Sequence, residues 1–165
     1  MKTSIYTLDR ETLEEIRGQL PDYVTGCVHE PGYVTLGAVD GHDDIVGMVQ
    51  FFVNITDDGG GYAEIDYIYT ADNCRRQGVG SKLLNKVNRI LKKSGVLVST
   101  VLVPVSDQGA MVLDTPAKEL KAFFEDCNYI KSTDSIHTFQ TVLNNVFQGL
   151  NDKSVIRYAR LAGRE

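Results

Sequence analysis

The segment "CRRQGVGSKLL", Cys74 to Leu84, places two glycines and three basic residues directly before an apolar helical pattern. Apolar residues from Val79 to Leu91 recur at helical spacing and predict a helix that ends near Gly95. Backbone N–H groups at the start of a helix have no partners within it, and glycines let an anion approach them. The segment therefore predicts a turn that binds phosphate, or else a tight strand-to-helix turn with solvated arginines.

Two common nucleotide-binding loops do not fit these residues. A GxGxxG fingerprint beginning at Gly78 would need glycine at position 83, where the chain has Leu83. The GxxxxGK[ST] pattern is absent, because Ser81 precedes Lys82 instead of following it. Both nucleotide classes are thus excluded for this segment.

The segments around this turn alternate between strand and helix patterns. Strands are predicted for the β-branched and aromatic stretches at 4–8, 33–39, 45–55, 62–70 and 96–103, with "YIKST" and "SIHTFQ" as two more. Helices are predicted at 10–20, behind the cap Asp9, and at 116–127. The tail segments "TVLNNVFQGL" and "KSVIRYARLAGRE" predict two short amphipathic helices. The order predicts an α/β fold with a mixed, mostly antiparallel sheet flanked by helices and a short helical C-terminal tail.

Composition limits the class of protein. A chain of 165 residues with 42% hydrophobic content suits one domain, expected at 1–141 with 142–165 as its helical C-terminal extension. The net charge of −5 argues against nucleic acid as a partner and favours a cationic one. Histidines and cysteines show no metal-ligand spacing, so no metal is expected, and the three scattered cysteines predict a reducing cytoplasm. No apolar run approaches the roughly 20 residues of a membrane span.

The glycine turn resembles the acyl-CoA loop of the GNAT acetyltransferase superfamily. Arg75, Gly78 and Gly80 match its pattern [QR]xxGx[GA], between a strand and a helix. Further on, "AFFEDCNY" is similar to the family's "FYEKxGF", with Asn128 for its glycine and Tyr129 for its final aromatic residue. The resemblance extends in element order from about Ile5 to Gln140 and is closest at 63–91.

The resemblance implies acetyl-CoA as co-substrate and assigns its contacts. Backbone amides from Gln77 to Ser81, with Arg75 and Arg76, would hold the pyrophosphate. Backbone of the preceding strand would bind the pantetheine arm, much as a strand adds to a sheet edge. The cofactor-binding residues implied are Ile68, Tyr69, Thr70, Arg75, Arg76, Gln77, Gly78, Val79, Gly80 and Ser81.

Two carboxylates precede the loop. Acetyl transfer to an amine needs a base, because a lysine-like amine with a pKa near 10.4 is mostly ammonium at neutral pH. Glu64 and Asp66 alternate on one strand and are expected on one face, roughly 6.5–7 Å apart. Such a pair raises one carboxyl pKa, which suits a general base. The alternative is a polar strand face exposed to water.

The resemblance also bears on the catalytic groups. "AEI" ending at Ile65 is similar to the histone-type members, whose glutamate is the general base, so Glu64 is favoured and Asp66 is the runner-up. Many members have a tyrosine general acid where this chain has Phe124. That role is vacant or is filled by Tyr129, Tyr69 or water, and the family match also predicts a packing role for Tyr129.

We therefore expect an N-acetyltransferase that moves an acetyl group from acetyl-CoA to a primary amine by direct attack. The acceptor is a small-molecule amine or a protein amine. The alternatives are another acyl-CoA or acceptor, and a non-catalytic acyl-CoA-binding module. The basic tail is expected to close the acceptor groove, to form a homodimer, or to begin a further region. Phe51 and Phe52 are expected to be core and sheet-face residues and not part of a ligand-binding site.

Overall fold

The computed structural model describes residues 1–20, 32–55, 57, 61–104, 116–131 and 155–161. The chain divides into two compact units, Met1–Ser99 and Thr100–Leu161. Seven strands lie in the described ranges, and every strand pair with a defined register is antiparallel. The predicted α/β fold with a mostly antiparallel sheet and helices is confirmed. No helix within these ranges is long and apolar enough to cross a membrane.

The first unit is an antiparallel meander with a helix on each face. Its strands pair in the order β1-β2-β3-β4, so each bonds to the next strand along the chain. The predicted strands are all present, and the first helix ends earlier than predicted. In chain order the elements are β1 (Ser4–Thr7), α1 (Arg10–Ile16), a 3₁₀ turn (Arg17–Gln19), β2 (Tyr33–Val39), β3 (Ile45–Ile55), β4 (Gly61–Thr70), a second 3₁₀ turn (Asp72–Cys74) and α2 (Val79–Lys93).

Helix α1 begins at a capped N-terminus and covers one face of the meander. The Asp9 Oδ1 accepts a hydrogen bond from the Thr12 backbone N–H at 2.9 Å, which lowers the pKa of the Asp9 carboxyl. Leu13 is buried in a cluster with Met48 of β3 and Tyr67 of β4. The predicted cap at Asp9 is therefore confirmed, and α1 is held by the apolar side chains on this face.

Helix α2 covers the opposite face of the same strands. Its buried stripe includes Leu83, Val87 and Leu91. Glycine in β3 permits a close approach, because a Cβ on Gly47 would lie 2.7 Å from Val79 Cγ1 and 3.2 Å from Leu83 Cδ1. The amphipathic pattern predicted for this helix is confirmed, and its first turn rests directly on the backbone of β3.

Strand β4 contains a β-bulge at Asp66. Ile65 pairs with Phe51 and Tyr67 pairs with Gln50, so Asp66 is an extra residue between consecutive pairs of the ladder. Paired residues of an antiparallel ladder point to the same face. Glu64, opposite Phe52, therefore shares the α1 face with Tyr67, although the two are three residues apart. The bulge shifts the face to which every later side chain of β4 points.

The second unit contains most of β5 (Val98–Pro104), together with α3 (Ala117–Asp126), β6 (Ile130–Lys131) and β7 (Val155–Leu161). Its strands are ordered β5-β7-β6, and β6 pairs antiparallel with β7. The predicted strand at 96–103 and helix at 116–127 are confirmed with small shifts of their ends. The strand predicted from "SIHTFQ" and the helix predicted from "TVLNNVFQGL" lie outside the described residues.

The helix predicted from "KSVIRYARLAGRE" is wrong for Val155–Leu161, which form strand β7. Ile130 and Lys131 pair with Ala159 and Tyr158 of this strand. Arg160 Nη1 donates a 2.9 Å hydrogen bond to the Cys127 carbonyl, which fixes the strand against the end of α3. Local spacing in this segment is compatible with a helix, but these tertiary contacts favour an extended backbone.

Candidate active site

The loop between β4 and α2 passes twice through left-handed backbone, at Arg76 (φ 62°) and Gly78 (φ 79°). A Cβ added to Gly78 would meet no atom within 4 Å. Glycine is therefore favoured at position 78 by backbone conformation and not by lack of space. The same open space lets a ligand approach the backbone at this turn.

Hydrogen bonds at the start of the loop hold this conformation. The Ala71 N–H donates to the Val46 carbonyl at 3.0 Å, which anchors the loop to β3. The Cys74 N–H donates to the Ala71 carbonyl at 2.8 Å, and Gln77 Nε2 donates to the Asn73 carbonyl at 3.0 Å. Cys74 is buried, so the 3₁₀ turn is also fixed by packing. The loop is thus braced internally before any ligand binds.

Helix α2 begins at this loop with no side chain capping its N-terminus, because Gly78 occupies the N-cap position. The first hydrogen bond of the helix runs from the Lys82 N–H to the Gly78 carbonyl at 3.0 Å. Backbone N–H groups of Val79 and Gly80 precede that bond, at the positive end of the helix dipole. Together with the exposed Arg76, they form a site suited to a phosphate group.

Arg75 makes contacts within the loop. Its Nη2 lies 2.9 Å from Asp72 Oδ1, and its Nε donates to the Thr70 carbonyl at 3.5 Å. The guanidinium therefore braces the junction between β4 and the loop, with about a third of its side chain exposed. The pyrophosphate contact expected for Arg75 stays a prediction, and the contacts present in this structure are to Asp72 and Thr70.

Glu64 and Asp66 lie on β4 on either side of Ile65, and the bulge separates their environments. Glu64 is partly buried opposite Phe52, whereas the Asp66 residue is exposed. Partial desolvation of the Asp66 carboxyl raises its pKa, and the negative charge of Glu64 raises it further. The two carboxylates are thus close enough to interact, although the bulge alters the regular alternation on which their expected separation rests.

The sequence profile of the acetyltransferase (GNAT) family matches residues 2–111, about two thirds of the chain. This match includes β1 to β4, α2 and the loop between β4 and α2, residues 71–78, which we call the glycine loop. The chain belongs to the GNAT acetyltransferase family. The resemblance predicted from the glycine loop is confirmed, and the protein is an acetyltransferase. No curated protein sequence matches the chain significantly.

Solved structures of the same fold include three GNAT-type enzymes of low sequence identity. NAA60 of Arabidopsis thaliana, in complex with acetyl-CoA, is 14% identical with a TM-score of 0.61, over 97% of this chain and 98% of that chain. The ribosomal-protein-S18-alanine N-acetyltransferase of Escherichia coli is 16% identical with a TM-score of 0.61, over 99% and 96%. An aminoglycoside 6'-N-acetyltransferase complexed with coenzyme A is 15% identical with a TM-score of 0.62, over 98% of each chain. These likenesses show the fold.

The end of β4 is where this GNAT chain was expected to bind pantetheine. Ile68 and Tyr69 pair with Val49 and Met48 of β3. The Tyr69 side chain packs against the α1 cluster, and its burial raises the pKa of its phenol, with a further increase from the charge of Asp72. A partly buried phenol with a raised pKa gives up its proton less readily than a solvated one, and the role of Tyr69 as general acid stays a prediction.

Tyr129 lies in the second unit, immediately after α3. Its ring is buried and packs edge-to-face on Phe124, with ring centroids 5.5 Å apart. Its N–H donates to the Phe124 carbonyl at 3.0 Å. These contacts are those of the packing role that the family resemblance predicts for this aromatic residue.

Residues beside Glu64 on β2 and β3 were not predicted as part of the site. Phe52 is the cross-strand partner of Glu64, and Tyr33 is the partner of Phe52 on its other side. Two residues further along the same face, Asn54 Nδ2 donates to Tyr62 Oη at 2.9 Å. The correct register between the predicted strands would have found this row, but β3 and β4 each contain an irregularity that sequence patterns do not locate.

Residues that could bind a metal ion are scattered in the part of the chain that the structure describes. Within the described ranges, no group of three or more histidine, cysteine, aspartate or glutamate residues lies close enough together to hold a metal ion. Cys74 and Cys127 are both buried and form no disulfide. Near the glycine loop, the described residues that offer chemistry include the carboxylates of Glu64 and Asp66, the backbone amides and the exposed Arg76.

Proposed function

We propose that the protein transfers an acetyl group from acetyl-CoA to a primary amine by direct attack, with Glu64 as the general base. One observation carries the proposal: the partly buried carboxylate of Glu64 lies on β4, the strand that leads into α2, and α2 begins at Gly78 with no side chain capping its N-terminus. The first feature suits removal of a proton from an amine, and the second suits a phosphate. The two lie on one continuous segment of the first unit.

The residues present fit a CoA pyrophosphate. The left-handed Gly78 leaves open space above the backbone, and the start of α2 has no side-chain cap. The amides from Gln77 to Ser81 would hold the pyrophosphate, with Arg76 contributing charge. Backbone of Ile68, Tyr69 and Thr70 would hold the pantetheine arm. Arg75 supports this strand end through Thr70, and binding of a phosphate would compete with Asp72 for its guanidinium.

Bound acetyl-CoA supplies the acetyl group as a thioester, with the thiol as leaving group. Glu64 takes the proton that the ammonium must lose, so that the amine nitrogen forms a C–N bond to the carbonyl carbon as the C–S bond breaks. That proton passes from Glu64 to solvent, the second proton that the nitrogen loses on bonding to carbon follows by the same route, and CoA leaves as the thiolate. A thiol pKa close to the cysteine value of about 8.5 makes a dedicated general acid dispensable.

The acceptor is an amine on a small molecule or on a protein, and the fold serves both uses. Two of the similar structures carry names that specify an alanine of a ribosomal protein and an aminoglycoside. For this chain we infer an amine that arrives as a cation, because the protein carries a net charge of −5 and its site presents two carboxylates. We also propose a reducing, cytoplasmic location, which the thiols of Cys74 and Cys127 support because neither is in a disulfide.

The test is a CoA-release assay with a panel of primary amines, on the full chain and on Glu64→Gln. Glutamine keeps the shape of the side chain but cannot accept the proton. We expect the rate at neutral pH to fall by about 10²- to 10⁴-fold, the usual contribution of a general base. Part of the rate should return at high pH, where more of the amine is already neutral.

Asp66→Asn is the matched control, since it removes the neighbouring carboxylate and leaves Glu64 in place. We expect a smaller rate loss than in Glu64→Gln. A loss in Asp66→Asn that equals or exceeds the loss in Glu64→Gln would transfer the role of base to Asp66. CoA release that is unchanged in both variants would refute carboxylate catalysis in this site.

A further inference from the structure

Three side chains form a row across β2, β3 and β4. Tyr33 pairs with Phe52, and Phe52 pairs with Glu64, so all three point to the same face. The Tyr33 and Phe52 rings are 5.0 Å apart between centroids and inclined at 49°. Each of the three residues is partly buried. The proposed base therefore stands at one end of a two-ring apolar surface.

This row differs from the part of the same face that α1 covers. Met48, Tyr67 and Tyr69 lie further along the strands and pack with Leu13 of α1. Tyr33 and Phe52 are not members of that cluster. The bulge at Asp66 falls between the two regions, because it separates Glu64 from Tyr67 along β4. The aromatic row therefore has surroundings of its own, next to the proposed base.

The backbone holds the Phe52 ring in place. Gly32 has a φ of +97°, and a Cβ at this position would lie only 2.8 Å from Phe52 Cε2. The Val53 N–H donates to the Gly32 carbonyl at 2.8 Å, which keeps this glycine against the ring. Glycine at 32 thus allows the chain to pass directly over one edge of Phe52. A ring fixed in this way loses little freedom when a ligand packs on it.

We infer that Phe52 and Tyr33 bind the carbon chain of the acceptor, and that the acceptor is a primary amine at the end of an unbranched hydrocarbon chain. The inference rests on the proposed role of Glu64. Cross-strand neighbours have Cβ atoms about 4.5–5.5 Å apart, so an amine at the Glu64 carboxylate places its methylene groups beside the Phe52 ring. Aromatic faces favour methylene groups and also tolerate an arriving ammonium.

The experiment measures kcat/KM for ethylamine, n-propylamine, n-butylamine and n-pentylamine, which have nearly equal basicity. In the wild-type chain we expect kcat/KM to rise by about threefold to fourfold for each methylene that packs on the rings. In Phe52→Ala we expect less than about 1.5-fold per methylene, because the ring is gone. Calorimetric affinity for acetyl-CoA should not change in this variant.

Three further variants separate the possible outcomes. Ile55→Ala removes an exposed side chain from the end of the same strand. It should keep the wild-type increase in kcat/KM per methylene, which we call the slope. Phe52→Gln keeps side-chain length with a polar end and should flatten the slope, which serves if Phe52→Ala unfolds. Glu64→Gln should lower the rate for every amine by a similar factor and leave the slope unchanged.

The slope and the overall rate test different claims. A wild-type slope that persists in Phe52→Ala and Phe52→Gln, or a wild-type series with no slope, overturns the role of the rings while the role of Glu64 stands. Rates unaffected by Glu64→Gln refute the proposed base instead. Nα-acetyl-lysine amide, which also carries four methylenes, is compared with n-pentylamine. A higher kcat/KM for Nα-acetyl-lysine amide identifies the acceptor as a peptide lysine. A higher kcat/KM for n-pentylamine identifies it as a free alkylamine.

Discussion

Gly47→Ala tests how closely α2 is seated on the sheet. A methyl group at Gly47 would lie 2.7 Å from Val79 Cγ1, 3.1 Å from the Tyr69 carbonyl oxygen and 3.2 Å from Leu83 Cδ1. The Val79 and Leu83 side chains can shift, but the Tyr69 carbonyl belongs to the β3–β4 ladder and cannot move without straining it. Overpacking of this kind costs about 1–3 kcal/mol, and the reduced freedom of the unfolded chain offsets about 0.4–1 kcal/mol of that cost.

The net loss of unfolding free energy is therefore about 1–2 kcal/mol. For a chain of this length, that lowers Tm by about 2–8 °C in a thermal melt followed by circular dichroism. Gly41→Ala is the matched control, since a Cβ there meets nothing within 4 Å and φ is not positive, and its Tm should stay near wild type. Because Val79 begins the helix that we propose binds the pyrophosphate, acetyl-CoA affinity should also fall in Gly47→Ala. A Gly47→Ala variant as stable as Gly41→Ala would refute the close packing of α2 on β3.

Further predictions concern the loop, the bulge and the second unit. Gly80→Glu should abolish acetyl-CoA binding by blocking and repelling the pyrophosphate, and calorimetry showing wild-type affinity would disprove the phosphate site. Asp66 has a pKa raised above its ordinary value of 3.8, so its ionised form disfavours the folded state above the raised pKa and has no such effect below about pH 3.8. Asp66→Asn should therefore be at least as stable as wild type at pH 7, with any advantage gone below about pH 4, and a clear loss at pH 7 in urea titration would contradict this. Tyr129→Phe should lower kcat less than about tenfold, since a positioned acid contributes more than that; a loss above a hundredfold with unchanged acetyl-CoA affinity would show that Tyr129 protonates the thiolate.

Most of the first unit was predictable because its patterns are local. The strands at 33–39 and 45–55 match their predictions residue for residue, since β-branched and aromatic runs flank an Asp-rich turn. The Asp40 carboxylate accepts hydrogen bonds from the His42 and Asp44 N–H groups, as expected of such a turn. The glycine loop was also predictable, because left-handed backbone and helix initiation both depend on nearby residues.

The remainder depends on contacts between distant parts of the chain. Ala63, Ile65 and Tyr67 are buried in regular alternation, as if they shared one face, yet the ladder places Tyr67 on the other face. Nothing in the local sequence marks that change. The extra residue at Val46 of β3 is equally unmarked, and it moves the partner of Tyr33 from Phe51 to Phe52, so the Tyr33–Phe52–Glu64 row was not predicted. Strand β7 was mistaken for a helix for a related reason, since its extended form depends on pairing with β6, more than twenty residues earlier.

The bulge at Asp66 makes the chain tolerant of both the replacement and the loss of this residue. A substitution at this exposed site changes one side chain and leaves the ladder as it is. Deletion of Asp66 would remove the extra residue and make Ile65 and Tyr67 consecutive, still opposite Phe51 and Gln50, so each would keep its present face. Tyr67 and Tyr69 would stay opposite Gln50 and Met48 on the α1 side, and β4 would lose only the local twist that the bulge gives it. Among natural variants of this strand, we therefore expect many residue types at position 66 and also chains that lack this residue, and a deletion scan of β4 would test that tolerance directly.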